Sequence, residues 1–275
     1  MGVELRIVRG ELIEASMNDP QRVLSFSGIH NFRDYGGYAA RGGRLKRGVL
    51  WRSGQHTEAT PEDLDAVHDL GIATVIDLRG DSERRRYPCQ RHGAFEGVVL
   101  FHSGETSGLA GRAVHEESKA PLKTAADAHA ALMHLYETMA WRPVLVGTYR
   151  LYVDALANRE GASLLHCLAG KDRTGLGAAL VHVLLGVHPD DVMADYLLTN
   201  SAGDVEQRIE AGAKHMRDRG MDEDAIRTLM SVHPEYLETA LSAIAARHGS
   251  VESYAAEVLG LTPELHEKLQ QALVE

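Results

Sequence analysis

Apolar positions along this chain follow two spacings, and the change from one to the other marks out its elements. Ile72 to Leu78 is a nearly unbroken apolar run, too short for a helix and suited to a strand buried on both faces. Val98 to Phe101 and Ser163 to His166 read the same way, and Gly48 to Arg52 is the clearest strand of a Gly-rich stretch from Phe26 to Gly54. Val3 to Ile13 alternates polar and apolar residues around Gly10, which suggests an edge hairpin. Between the strands the spacing becomes helical. Thr60 caps, Pro61 takes the first helical position and Glu62 and Asp63 follow, which predicts a helix through Leu64, Val67 and His68 to Gly71. Further helices are predicted from Lys123 to Met139, Pro143 to Asn158, Thr174 to Leu185 and Pro189 to Leu198. From Asp204 onward helices dominate, broken at Gly220, at His233-Pro234, at Gly249 and between Gly260 and Pro263, with Leu237, Leu241 and Ile244 on one apolar face.

Strands separated by helices predict an α/β fold, a mixed and mainly parallel sheet flanked by helices. The 275 residues suit one domain, 1–275, whose portion from about 204 to 275 is helical. No repeat, low-complexity tract or interdomain linker stands out.

The most informative segment is His166-Cys167-Leu168-Ala169-Gly170-Lys171-Asp172-Arg173-Thr174-Gly175, between the Ser163–His166 strand and the helix that follows. A loop entering a helix N-terminus converges amide N–H groups on one point, and the helix dipole adds positive charge there. Gly170 permits the close backbone approach, Arg173 offers a planar fork for two phosphate oxygens, and Cys167 stands at the focus. Helix N-termini and nearby cations lower a thiol's pKa from ~8.5 to roughly 3.5–7.5. The loop is therefore expected to bind a phosphoryl group and to ionise its own nucleophile, with the Thr174 hydroxyl available to the sulfur. His166 reads as structural. A nucleotide-binding loop is excluded, because Gly170-Lys171 is followed by Asp172 and Leu165 stands where the first glycine is required.

These residues resemble the signature loop of cysteine-based protein tyrosine phosphatases. The Gly-Lys-Asp-Arg-Thr variant resembles a bacterial subgroup of dual or triple specificity, with mycobacterial and listerial members. Asn31-Phe32-Arg33-Asp34-Tyr35-Gly36-Gly37, Leu50-Trp51-Arg52-Ser53, Val75-Ile76-Asp77-Leu78-Arg79, Val192-Met193-Ala194-Asp195-Tyr196-Leu197 with Asn200, and Pro234-Glu235-Tyr236-Leu237 with Tyr254 carry the same likeness. The resemblance implies phosphate-monoester hydrolysis through a phosphocysteine on Cys167, with phosphotyrosine as first substrate and phosphoserine, phosphothreonine and phosphoinositides as further ones. Leu168, Ala169, Gly170, Lys171, Arg173 and Thr174 would hold the phosphoryl group. It also implies an acid for the leaving group, Asp172 within the loop or Asp77 at a strand end. Asp77 has an alternative use as the ion-pair partner of Arg79. Lys171 suits a second phosphate, or else packs its stem and pairs with an acid. Arg33 and Asp34 frame the pocket or form a structural ion pair. A helical insertion over the site, about 104–140, is implied as a lid with Leu132, Met133, Leu135, Tyr136 and Met139 on its inner face; the same residues suit an ordinary core helix. The rival reading is a pseudophosphatase that captures phosphorylated partners, and a rhodanese-like sulfurtransferase fits the long loop poorly.

Charge refines this picture. The formal net charge of −10 and sequence pI near 5.8 argue against nucleic acid or an anionic membrane as a bulk partner. Positive charge must then be local, from Lys171, Arg173 and the Arg44-Leu45-Lys46-Arg47 and Arg84-Arg85-Arg86 runs, the last reading as solvated surface. Two cysteines, Cys89 and Cys167, make neither a disulfide framework nor a zinc pattern, though Cys89 could guard Cys167 by a reversible disulfide. Fifteen scattered histidines lack metal-ligand spacing, so no metal or cofactor is expected. No apolar run is long enough to span a membrane and no signal core opens the chain, so cytoplasmic residence is the expectation, with specialised export open. No pattern bears on oligomeric state.

Overall fold

The computed structural model describes residues 22–106, 122–202 and 205–275. The hairpin expected at Val3–Ile13 and the 107–121 part of the expected insertion lie outside these residues.

Strands β1 (Arg33–Asp34), β2 (Ala39–Ala40), β3 (Gly43–Arg44), β4 (Leu50–Ser53), β5 (Ile72–Asp77), β6 (Val98–Leu100) and β7 (Ala162–His166) form two sheets. The larger has the order β1-β4-β7-β5-β6, with β1 antiparallel to β4 and the other neighbours parallel. β2 and β3 form a separate antiparallel hairpin. The central strand β7 is buried at all five positions, which matches its continuous apolar sequence. Successive side chains of a strand point to opposite faces. Accordingly Leu50, Ile76 and Leu165 enter one core, while Trp51, Val75 and Leu164 enter a smaller one on the other side.

The helices used below are α1 (Pro61–Asp69), α2 (Asp81–Arg86), α3 (Ala125–Met139), α4 (Pro143–Asn158), α5 (Asp172–Leu184), α6 (Pro189–Leu197), α7 (Glu223–Met230), α8 (Pro234–His248) and α9 (Pro263–Leu273). α1 begins as expected: the Thr60 hydroxyl accepts from the Asp63 amide, the Asp63 carboxylate accepts from the Thr60 amide, and Pro61 fills the first position. α5 starts two residues before the expected Thr174, at Asp172, so that Arg173 lies within its first turn. It is apolar on all sides because it runs through the larger core, beside α4 and α8. The fold is a mixed, mainly parallel sheet flanked by helices.

α3 packs against α7 and α8. Leu132, Leu135, Tyr136 and Met139 are buried in the larger core, and Met133 packs at its margin. The expected inner face is therefore buried. The Arg84–Arg86 run, expected to be a solvated surface, forms the last turn of α2, where Arg84 covers the Phe101 ring with its guanidinium 4.0 Å from the ring centroid. The Arg44–Arg47 run braces the chain end: Lys46 donates to the Ala272 carbonyl at 2.6 Å, and Arg47 lies 3.5 Å from Asp34. Among the described residues no helix is long and apolar enough to cross a membrane.

Candidate active site

β7 ends at His166, and the chain turns at once through Cys167–Lys171 into α5. Cys167 is buried, Leu168 and Ala169 are half-buried, and Gly170 is buried at φ +66°. A Cβ on Gly170 would overlap the Ser53 carbonyl, so no other residue fits there.

The loop's carbonyls are tied outward to the scaffold. The Gln55 amide donates to the Leu168 carbonyl at 3.0 Å. The Gly170 carbonyl receives Asn31 Nδ2 at 2.8 Å and an Arg52 terminal nitrogen at 3.1 Å. Among the described residues no protein acceptor takes the amides of Leu168, Ala169, Gly170 or Lys171. Amides without partners at a helix N-terminus suit an anion.

The two donors on Gly170 are fixed by a buried charge cluster. Asp195, on α6, accepts from Arg33 Nε at 3.1 Å and from Arg52 at 2.6 Å, and both guanidiniums are fully buried. Arg33 also bonds Asn31 Oδ1, which holds the asparagine in a left-handed conformation at φ 59°. Burial would raise the Asp195 carboxyl, but Arg33 and Arg52 hold it well below the usual carboxylate range. Burial, with Arg52 alongside, pulls Arg33 down to about 10. Arg33 is thus a structural ion-pair residue, with Asp195 as its partner. Asp34 instead accepts from the amides of Gly36 and Gly48.

Arg173 meets a partner that sequence reasoning missed. Glu83, on α2, receives both of its terminal nitrogens, at 2.5 and 2.8 Å, and Thr106 Oγ1 lies 3.0 Å from one of them. Burial works against the charge, but Glu83 outweighs it and raises the Arg173 pKa. Glu83 in turn is kept below its ordinary value by Arg173, against its own burial. Its only sequence signal was its place three residues after Gly80, whose amide it caps at 3.0 Å.

The candidate acids differ in their surroundings. Asp77 gives one oxygen to the Arg79 amide and Nε, at 3.0 and 2.9 Å, and the other to an Arg79 terminal nitrogen at 2.7 Å. Despite burial, its three hydrogen bonds and ion pair with Arg79 hold it far below the usual range. Asp172 is partly exposed and accepts at Oδ1 from the Tyr136 hydroxyl at 2.9 Å, with Lys171 Nζ 3.3 Å away. Lys171 is buried, and its ammonium donates to the carbonyls of Leu229 and Ser231 at 2.6 and 3.0 Å. Thr174 Oγ1 is buried without a partner among the described residues.

Behind the loop, His166 Nδ1 lies 3.3 Å from the Cys167 carbonyl, which can only accept, so that nitrogen carries a proton. Burial lowers His166 to about 4, which keeps the ring neutral. Cys89 is a free thiol whose sulfur accepts from the His56 amide at 3.2 Å. Among the described residues no group of His, Cys, Asp or Glu is placed to hold a metal.

Comparison with known proteins places the chain in a family. A family model described as the tyrosine phosphatase family matches residues 24–275. A putative tyrosine-protein phosphatase of Cupriavidus necator is 32% identical over 241 residues, covering 86% of this chain and 84% of that protein. The triple specificity protein phosphatase PtpB of Mycobacterium tuberculosis is 27% identical over 257 residues, covering 84% of this chain and 92% of that protein. The solved structure of TpbA from P. aeruginosa covers 77% of this chain and 98% of its own, at 20% identity and a TM-score of 0.34. With a match that runs from before β1 to the last residue and takes in the whole Cys167–Arg173 loop, this chain belongs to the tyrosine phosphatase family, alongside bacterial members.

Proposed function

We propose that this chain hydrolyses phosphate monoesters, phosphotyrosine first, through a phosphocysteine on Cys167. The observation that carries the reading is one loop that holds a buried thiol, amides with no protein acceptor among the described residues and a guanidinium paired with Glu83.

The Cys167 sulfur attacks phosphorus. An S–P bond forms as the bond to the leaving oxygen breaks, and that oxygen keeps the electron pair. The Asp172 carboxyl gives its proton to this oxygen. Arg173 and the amides of Leu168, Ala169, Gly170 and Lys171 hold the remaining phosphoryl oxygens. Water then forms the new P–O bond, the pair returns to sulfur, and the Asp172 carboxylate takes the water's proton. Thr174 Oγ1, buried without a partner among the described residues, has a proton to offer the departing sulfur. Asp172 is preferred to Asp77 because both Asp77 oxygens are occupied by Arg79.

Lys171 favours phosphotyrosine over phosphoinositides, since its ammonium is used on two backbone carbonyls. The triple specificity in the name of PtpB supports a range wider than phosphotyrosine, with phosphoserine, phosphothreonine and phosphoinositides as the further substrates proposed here. The test is p-nitrophenyl phosphate turnover by wild type and Cys167→Ser without added metal, followed by a phosphotyrosyl peptide, a phosphoseryl peptide and a monophosphorylated inositol lipid. Wild type should turn over the first two substrates fastest, and Cys167→Ser should fall to baseline. Equal turnover by Cys167→Ser would exclude the thiol mechanism. Phosphopeptide binding by a wild type that turns nothing over would mark a binding module.

A further inference from the structure

Three tyrosines from distant parts of the chain meet beside Asp172. Tyr136 is on α3, Tyr196 on α6 and Tyr236 on α8, and each is essentially buried. A hydroxyl in such a place must be hydrogen-bonded, because leaving it bare costs on the order of 1–3 kcal/mol. Tyr149 and Tyr254 meet this need with backbone, donating to the Arg173 carbonyl at 2.7 Å and to the Ala140 carbonyl at 2.6 Å, and Tyr35 and Tyr152 meet it with each other. Tyr136 does not. Its hydroxyl goes to the Asp172 carboxylate at 2.9 Å and is itself donated to by the Tyr196 hydroxyl at 2.8 Å.

The chain of bonds has one direction. Tyr196 gives its proton to the Tyr136 oxygen, which leaves the Tyr136 proton for Asp172. Burial, then the nearby Asp172 charge, hold the Tyr136 hydroxyl well above its ordinary pKa, so it remains a donor. The Tyr236 ring stacks on Tyr136 at 5.6 Å between centroids and 27° between planes, and its own hydroxyl lies 3.2 Å from His129 Nδ1. The Tyr196 ring meets Tyr136 edge-on at 6.3 Å. The Tyr136 ring is thereby braced from two sides.

Asp172 Oδ1 thus faces two donors, Tyr136 and Lys171, while Oδ2 has no partner among the described residues. A carboxyl whose first oxygen is occupied by donors carries its proton on the second. We propose that Tyr136 is a positioning residue for Asp172, braced by Tyr196 and Tyr236, and that it fixes which carboxyl oxygen delivers the proton to the leaving group. This inference rests on Asp172 being the acid.

The test separates the two. Wild type, Tyr136→Phe, Asp172→Asn and the double variant are assayed for kcat/KM on aryl phosphates of rising leaving-group pKa, from p-nitrophenyl to phenyl phosphate. Vanadate inhibition reads the integrity of the phosphate site. For Tyr136→Phe, we expect p-nitrophenyl phosphate within about twofold of wild type, phenyl phosphate roughly tenfold slower, and vanadate affinity unchanged, the scale of a small misplacement of a catalytic group. Asp172→Asn should steepen the leaving-group dependence further, and the double variant should match it, because Tyr136 acts only through Asp172. A uniform loss across leaving groups in Tyr136→Phe, or losses that multiply in the double variant, would overturn the proposal. A steep Asp172→Asn beside a flat Tyr136→Phe overturns this inference alone. A flat Asp172→Asn overturns the acid assignment and the inference with it. Should Tyr136→Phe fail to fold, Tyr196→Phe keeps the Tyr136 contact and should show the same trend, about threefold on phenyl phosphate; no trend there would overturn the proposal.

Discussion

Asp195→Asn removes one negative charge between two fully buried guanidiniums while keeping the side chain's shape. In the wild type each carboxylate oxygen accepts from a different arginine, Oδ1 from Arg33 and Oδ2 from Arg52. The amide can offer only one acceptor, so one guanidinium meets an N–H₂ group, and two buried cations lose their shared counter-charge. Breaking a buried pair from one side costs about 3–5 kcal/mol, a large part of a total stability of about 5–15 kcal/mol. With a urea dependence near 3 kcal/mol per molar, the unfolding midpoint should fall by about 1–2 M. Turnover should fall too, because Arg52 and Asn31, the latter held by Arg33, are the two donors that seat the Gly170 carbonyl. The pH dependence has a fixed sign. The Asp195 pKa is depressed in the folded state, so its contribution is complete above its unfolded value of ~3.9 and is lost as pH falls through the folded value. The gap between variant and wild type should therefore be full at neutral pH and shrink in acid. Urea titrations followed by tryptophan fluorescence at neutral and acid pH measure both. A neutral-pH shift below about 0.2 M would refute the reasoning, since about 0.5 kcal/mol is the scale of an ordinary surface substitution.

Glu83→Gln keeps the hydrogen-bonding shape but removes the charge that secures Arg173; vanadate inhibition should weaken about tenfold, a loss near 1.4 kcal/mol. Tighter inhibition would mean that Glu83 competes with the anion for the fork. Gly170→Ala should abolish turnover, because the new methyl overlaps the Ser53 carbonyl at a backbone angle reserved for glycine; activity within tenfold of wild type would contradict this loop geometry. His166 is lowered from 6.5 to about 4 by burial, so the unfolded chain binds the extra proton and stability should rise with pH between those values, by on the order of 3 kcal/mol. Replacing His166 with Asn should flatten that part of the pH–stability curve, and an unchanged slope would assign it elsewhere.

The loop was legible in the sequence because its parts lie within ten consecutive residues and each type has a local reason to be there. The helices were legible where a cap or a proline marked an end, as at Thr60-Pro61 and Pro143. Partners far apart in the chain were not. Glu83 lies beside three arginines and reads as one more charge on a solvated helix, yet its partner is ninety residues away. Arg33, Arg52 and Asp195 lie in segments that carried the family resemblance, but no periodicity says that they meet. The type of Lys171 could not tell where its stem would lead, because a flexible side chain is aimed by tertiary packing. Tyr136 was placed on the inner face of its helix, but that spacing reports burial and is blind to which group its hydroxyl finds.

The central claim is that Cys167 becomes covalently phosphorylated. Mass spectrometry of wild type quenched in acid during turnover of p-nitrophenyl phosphate, followed by peptide mapping, reads this directly. The account predicts one added phosphoryl group, confined to the Cys167 peptide and absent from Cys167→Ser. A phosphoryl group on another residue, or steady turnover with unmodified Cys167 and an active Cys167→Ser, would contradict it.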